Sequence, residues 1–223
     1  MAAKASSSNV FQLALEGSLE SVRGLLDSDP SLLRAVDAAL HWAASGKHAE
    51  LVDLLLERGA AVDPKDEAEW TPLTIAVNVN SEPAVRRLIA GGADINARTD
   101  RLVAPLHYAA SRGRTEIGEI LIGLGADVAA GDKLKQTPLH RAASQGHKRF
   151  VQMLIDAGAK INIKDAAWNT PLHLAIEQCH GDVAVYLIEQ GAKTDIENRE
   201  KQTPLQMTKD KQVLQFVAKA LDE

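Results

Sequence analysis

The 223-residue sequence predicts an all-α repeat solenoid of seven helix-turn-helix repeats with projecting hairpin loops. Two observations predict it. A Thr-Pro-Leu-His motif, or a close relative, recurs with its leucine at Leu40, Leu73, Leu106, Leu139, Leu172 and Leu205, each step 33 residues. A Gly-Ala pair keeps the same interval at Gly59, Gly92, Gly125, Gly158 and Gly191. Self-similarity at one period is the signature of stacked repeats, each burying its apolar face against its neighbours. Function is then expected on an exposed surface rather than in a catalytic pocket.

One repeat, from Asp66 to Ala97, shows how each element is specified. Asp66 to Trp70 is polar and reads as a turn. Thr71 is an N-cap whose hydroxyl can accept an orphan amide, and Pro72 follows at the first helical position, where its missing N–H is harmless. Leu73 and Ala76 share one face. Asn80, with Gly113 and Gly146 in the next repeats, suits a left-handed turn between two helices. Val85, Leu88 and Ile89 supply the stripe of the second helix, and Gly92 ends it. Asp94 to Ala97 reads as extended. Alanine recurs in the first helix at Ala43, Ala76, Ala109, Ala142 and Ala175, and leucine in the second at Leu55, Leu88, Leu121, Leu154 and Leu187. A larger residue at the alanine positions would overpack the stack by about 1–3 kcal/mol.

The ends are less regular. Residues 9–33 form a degenerate first repeat, with a helix from Phe11 and a second from Leu19 to Leu26. Leu33 to Ala38 makes a short linkage in place of a full finger. The last repeat starts at Thr203 and ends in an amphipathic run from Val213 to Leu221. The expected organisation is a single domain over 1–223: an N-terminal capping repeat at 1–36, five full repeats at 37–202 and a C-terminal capping repeat at 203–223.

Composition narrows the function. Hydrophobic residues make up 45% and aromatic ones 4%, so the core is aliphatic. Residues 1–100 carry 9 Lys and Arg against 15 Asp and Glu, whereas the remainder carries 16 against 15. This balance argues against a nucleic-acid surface and for an acidic end facing a basic protein. One cysteine, Cys179, allows no internal disulfide. The first nine residues lack the apolar run of a secretory signal, and no stretch approaches the ~20 apolar residues of a bilayer span. Location in cytoplasm and nucleus, no membrane association and a monomer are expected.

Chemistry is not signalled. His41, His107, His140 and His173 fall one per repeat. Packed helices lie about 8–10 Å apart, too far for ligands about 2 Å from one zinc ion. Each histidine is expected to hydrogen-bond the backbone at its own hairpin, and Thr74 and Gln206 can do the same. Cys179 beside His180 occupies the turn position and has no ordered third partner. Phosphate-loop, dinucleotide and His-Glu-x-x-His motifs are lacking. No enzyme, metal or cofactor is expected.

Buried columns must repeat, whereas finger tips and the open side of the first helix need not. The variable positions are therefore the candidates for partner binding. In one repeat they are Glu67, Glu69, Trp70 and Asn78. The next gives Asp100, Arg101, Ser111 and Arg112, and the third Lys133, Gln136 and Gln145. Trp168, Asn169, Glu177 and Gln178 complete the row. Trp70 and Trp168 are finger aromatics that either anchor a partner or pack on the adjacent finger. Trp42, inside a first helix, is expected in the core. The alternating charges Glu67 and Glu69, Arg101 and Arg112, then Glu177 would select a partner of complementary pattern.

The Thr-Pro-Leu-His-x-Ala-Ala motif, mid-repeat glycine and Gly-Ala-Asp/Lys-x-Asn tail resemble the ankyrin repeat. Leu40-His-Trp-Ala43, Lys65 to Leu73, Pro105 to Ser111, His140-Arg-Ala-Ala143, Asn162 to Asp165, Asn169 to Ala175 and Ile196 to Gln206 further resemble the gankyrin family of proteasome regulatory subunits. That resemblance implies a concave face of fingers and first helices and a partner in the C-terminal domain of a proteasome base ATPase subunit. It also implies a role as an assembly chaperone of the regulatory particle, with a cyclin-dependent kinase as a further partner. Other readings are an ankyrin-repeat adaptor or a cyclin-dependent-kinase-binding regulator. The first finger is about four residues shorter than in the animal proteins, which puts that finger's contacts in doubt. Where they carry Leu-x-Cys-x-Glu, this chain has Leu174-Ala-Ile-Glu-Gln178, so retinoblastoma protein binding is not expected.

Overall fold

A computed structural model describes residues 10–29, 32 and 35–221. The first nine residues, and Leu33 and Arg34 of the expected linkage, lie outside the described residues. The rest of that linkage opens a helix. Among the described residues every regular element is helical. The chain groups into two compact units, divided between Asp100 and Arg101.

Unit 1 holds α1 (residues 10–16), α2 (Leu19–Ser28), α3 (Val36–Ser45), α4 (Ala49–Glu57), α5 (Pro72–Asn78) and α6 (Glu82–Ala90). First helices α3 and α5 pack on each other, as do second helices α4 and α6. Unit 2 holds α7 (Pro105–Arg112), α8 (Thr115–Gly123), α9 (Pro138–Ser144), α10 (Lys148–Asp156), α11 (Pro171–Glu177), α12 (Gly181–Glu189), a 3-10 turn (Pro204–Gln206) and α13 (Lys211–Leu221). Here α9 packs between α7 and α11, and α10 between α8 and α12. This is the repeat architecture that the 33-residue interval predicts.

The repeating apolar columns are the core. The alanines from Ala43 to Ala175 and the leucines from Leu55 to Leu187 are fully buried. Leu40, Leu73, Leu106, Leu139 and Leu172 are buried as well. Leu205 is only half-buried, in a 3-10 turn rather than an α-helix. The turn packs against α11. In α13, Val213 and Val217 are buried against the rest of unit 2, whereas Phe216 is 52% exposed.

Local signals act as the sequence suggests, with one correction. Thr71 Oγ1 accepts the Thr74 amide at 3.3 Å, capping α5 ahead of Pro72. Lys47, Asn80, Gly113, Gly146 and Cys179 all take φ between 60° and 73°, the left-handed turn between paired helices. Cys179 is thus a turn residue, exposed, with Thr208 Oγ1 3.7 Å from its sulfur. Asp94 to Ala97, however, is a turn and not extended. The Ala97 amide donates to the Asp94 carbonyl and the Asn96 amide to Asp94 Oδ1, because an Asp side chain stabilises a turn through its own downstream backbone.

A second histidine column explains why glycine suits the turns at 113 and 146. His147 Nε2 donates to the Ser111 carbonyl and His180 Nε2 to the Ser144 carbonyl. A Cβ on Gly146 would lie 2.5 Å from His180 Nδ1, and one on Gly113 2.7 Å from His147 Nδ1. His48 reaches the Leu15 carbonyl the same way over Gly17.

Candidate functional site

Four of the fingers are each held by one side chain. In unit 1, Asp66 Oδ1 accepts the amides of Ala68 and Trp70 at 2.9 and 2.8 Å. In unit 2, Asp132 accepts from Leu134 and Gln136, Asp165 from Ala167 and Asn169, and Asn198 from Glu200 and Gln202. The bend forces a positive φ on Glu69, Leu102, Lys135, Trp168 and Lys201. Neighbouring fingers within unit 2 are tied by single backbone bonds, Lys133 to Arg101, Ala166 to Leu134 and Arg199 to Ala167. The tips therefore vary on a fixed frame.

The first-helix histidines bind the fingers to the helices. His107, His140 and His173 each accept an N-cap amide at Nδ1, from Ala104, Thr137 and Thr170. Each donates from Nε2 to a carbonyl of the following finger, that of Gln136, Asn169 or Gln202, at 3.0–3.2 Å. The expectation of a bond at their own hairpin is half the arrangement: the second bond reaches into the next repeat. His41 likewise has the Asp37 and Trp70 carbonyls at 3.1 and 3.0 Å from its ring nitrogens. Burial lowers the pKa of both His140 and His173 below 6.5 and keeps them neutral, as an accepting Nδ1 requires. Among the described residues no group of His, Cys, Asp and Glu is placed to hold a metal ion, and no helix is long and apolar enough to cross a membrane.

In unit 1, Glu67, Glu69 and Asp100 stand exposed on fingers. Glu69 pairs with Lys65 at 3.2 Å. Trp70 and Asn78 are half-buried. One cleft of this unit, about 510 Å³, has Asp37, His41, Trp42, Pro64, Lys65, Asp66 and Ile75 in its lining. Trp42 is 44% exposed and is not a core residue. Trp42 also lines a small cleft with Phe11, Gln12 and Leu15.

In unit 2, Arg101, Arg112, Lys133, Gln145, Glu177 and Gln178 are exposed, and Ser111 is half-buried. Gln136 Nε2 donates to Asp165 Oδ2, and Asn169 Oδ1 accepts from Asn198, so both hold neighbouring fingers together. Trp168 is 49% exposed with two cations on its ring, Lys164 at 5.1 Å and Arg199 at 5.7 Å. One cleft of about 200 Å³ gathers Arg101, Val103, His107, Tyr108, Ser111 and Arg141. A second, of about 470 Å³, gathers Ala166, Asn169, Glu177, Arg199, Glu200 and Met207 among its lining.

The column one residue after the histidine, namely Trp42, Ile75, Tyr108, Arg141 and Leu174, is absent from the predicted site, yet four of its five members line clefts. Its signal was available: it changes at every repeat while the histidine column before it and the alanine column after it nearly repeat.

A family model described as Ankyrin repeats (3 copies) matches residues 10–99 and 99–165, and one described as Ankyrin repeats (many copies) matches 151–188. The human 26S proteasome non-ATPase regulatory subunit 10 is 42% identical over 67 residues, 28% of this chain and 30% of that protein. The human protein phosphatase 1 regulatory subunit 27 is 44% identical over 63 residues, 28% of this chain and 41% of the relative. A Caenorhabditis elegans transient receptor potential cation channel subfamily A member 1 homolog is 35% identical over 95 residues, 41% of this chain and 8% of the channel. Each likeness spans less than half of the relative's length.

Proposed function

This chain belongs to the ankyrin-repeat family of protein-interaction modules, and from that premise we propose that it is an assembly chaperone of the proteasome regulatory particle, binding the C-terminal domain of a base ATPase subunit. The carrying observation is that the finger tips, held on a fixed frame within each unit, differ in charge. Acidic Glu67 and Glu69 are exposed on the finger of unit 1 whose Lys65 and Asp66 line the Trp42 cleft, and Arg101, Arg112 and Lys133 are exposed in unit 2. An ATPase domain with basic residues for the first set and acidic residues for the second would be selected by charge and anchored by apolar burial. The likeness to a proteasome regulatory subunit supports this partner. Activity in both cytoplasm and nucleus, as a monomer without membrane or nucleic-acid contact, belongs to the same reading.

The test is a pull-down of the full chain against each base ATPase C-terminal domain in turn. Retention of one domain over the others is expected; equal retention of all, or of none, overturns the reading. Full occupancy in finished proteasomes would overturn the transient role while leaving the binding. The likeness to a phosphatase regulatory subunit favours a second reading, an ankyrin-repeat adaptor. A kinase or phosphatase catalytic subunit retained in place of every ATPase domain would establish it.

A further inference from the structure

Tyr108 and Arg141 stand in the column that follows the histidines and line the small cleft of unit 2 with Arg101 and Ser111. We propose that this cleft is a receptor for an anionic oxygen group, carboxylate or phosphate, carried by a bound protein. The key residue is Arg141. Its Nη2 donates to Asp132 Oδ2 at 2.6 Å, which fixes the guanidinium. The Asp132 side chain is only 3% exposed and its other oxygen is spent on the amides of Leu134 and Gln136. The carboxylate thus lies behind the arginine, whose own side chain remains 34% exposed at the cleft.

The fork is far from saturated. A guanidinium carries five N–H donors; only Nη2 of Arg141 is tied down, to Asp132, and its buried Nε has no hydrogen-bond partner. Arg101 adds a second guanidinium from an exposed finger position, with no acidic partner among the described residues. Two cations therefore share the cleft with one committed carboxylate, leaving positive charge in excess. The planar guanidinium matches carboxylate and phosphate oxygens in a bidentate manner. Ser111 lines the same space. A volume of about 200 Å³ is several waters' worth at roughly 30 Å³ each, enough for one such group with part of its hydration. The inference goes beyond the ATPase reading, because any protein with a suitably placed acidic or phosphorylated side chain would use this cleft.

The test follows arginine Nε–Hε resonances of the full chain during titration with inorganic phosphate, and separately with N-acetyl-glutamate, each against sodium chloride at matched ionic strength. Saturable shifts at Arg141 and Arg101, with Arg86 and Arg149 still, are expected. A response to phosphate alone would make the natural group a phosphoryl group; a response to N-acetyl-glutamate, alone or as well, would make it a side-chain carboxylate. Because Arg141→Gln also breaks the pair with Asp132, Arg101→Gln is the decisive variant. It removes only an exposed finger cation and is expected to weaken binding about tenfold, as for one charge-assisted hydrogen bond. No shift, the same shift with chloride, or unchanged affinity in Arg101→Gln overturns the inference. Since the probes are small anions, the result is independent of the pull-down.

Discussion

The Asp66 finger of unit 1 and the Asp132 finger of unit 2 share their backbone bonds but not their surroundings. In both, one aspartate oxygen accepts the amides two and four residues on. Asp66 is exposed, and its finger carries Glu67 and a surface pair between Lys65 and Glu69. Asp132 is 5% exposed and covered by Arg141, and its finger carries Lys133 and Lys135. The Asp66 finger is accordingly acidic at its tip and the Asp132 finger basic. The difference teaches where selection for a partner can act. Bonds that shape the finger are local to one carboxylate, so the tip residues can change sign without disturbing it.

The largest expected effect checks the frame that the two units share. Leu88 and Leu121 occupy the same column, both fully buried. Leu88→Ala and Leu121→Ala should each cost about 2–5 kcal/mol by loss of transfer energy and cavity formation. Denaturant midpoints would measure it. Costs differing between the two by more than that spread would break the claim that the units are built alike. Next come the finger aspartates. Asp132→Ala strands two amides and Arg141 in a part-buried setting, and is expected to cost roughly 2–3 kcal/mol. Asp66→Ala exposes its amides to water and should cost about 1 kcal/mol. Equal costs would mean that burial of the carboxylate is not what separates the fingers.

Legibility followed the same division. The fold was readable because packing demands the same residue at the same place in each repeat, as the alanine and leucine columns show. The tip residues were readable because nothing constrains them. What escaped was intermediate. Trp42 looked like core because an apolar residue inside a helix usually is, yet a first helix leaves one column open toward the fingers. Gln136 and Asn169 looked like free polar groups, and only the three-dimensional spacing of fingers reveals their bonds to Asp165 and Asn198. The pairing of Arg141 with Asp132 spans nine residues and two elements, and no periodicity encodes it.

A further contrast concerns acid. His140 and His173, both in unit 2, are held neutral by burial, with pKa below the ordinary 6.5. Protonation would turn the accepting Nδ1 into a donor facing the Thr137 and Thr170 amides. The unfolded chain binds these protons first as pH falls. Their share of stability is therefore full above about pH 6.5 and is lost as pH drops from there through the lower folded values. Urea midpoints should fall between about pH 7.5 and about pH 5.5, with faster exchange of the Thr137 and Thr170 amides. Gln206, whose Oε1 accepts the Thr203 amide at 2.8 Å, shows that glutamine can replace the accepting nitrogen. A His140→Gln, His173→Gln variant should therefore have a flatter pH profile. The same slope in the variant, or a midpoint that does not fall, would remove these histidines from the account.

The smallest effect probes the exposed finger itself. Glu69 takes φ of 58°, a conformation costly for a residue with a Cβ, and its pair with Lys65 is half-exposed on both sides. Such a pair contributes about 0–1 kcal/mol, and left-handed backbone costs a non-glycine residue roughly 1–2 kcal/mol. Glycine removes both, while raising the entropy of the unfolded chain by about 0.5–1 kcal/mol. Glu69→Gly should then leave the urea midpoint within about 1 kcal/mol of the parent. Partner binding should still weaken, because a carboxylate that faces basic residues is lost. A fall in stability well beyond that range would show the Lys65 pair to be structural, and would move the acidic tip from the recognition surface into the finger's frame.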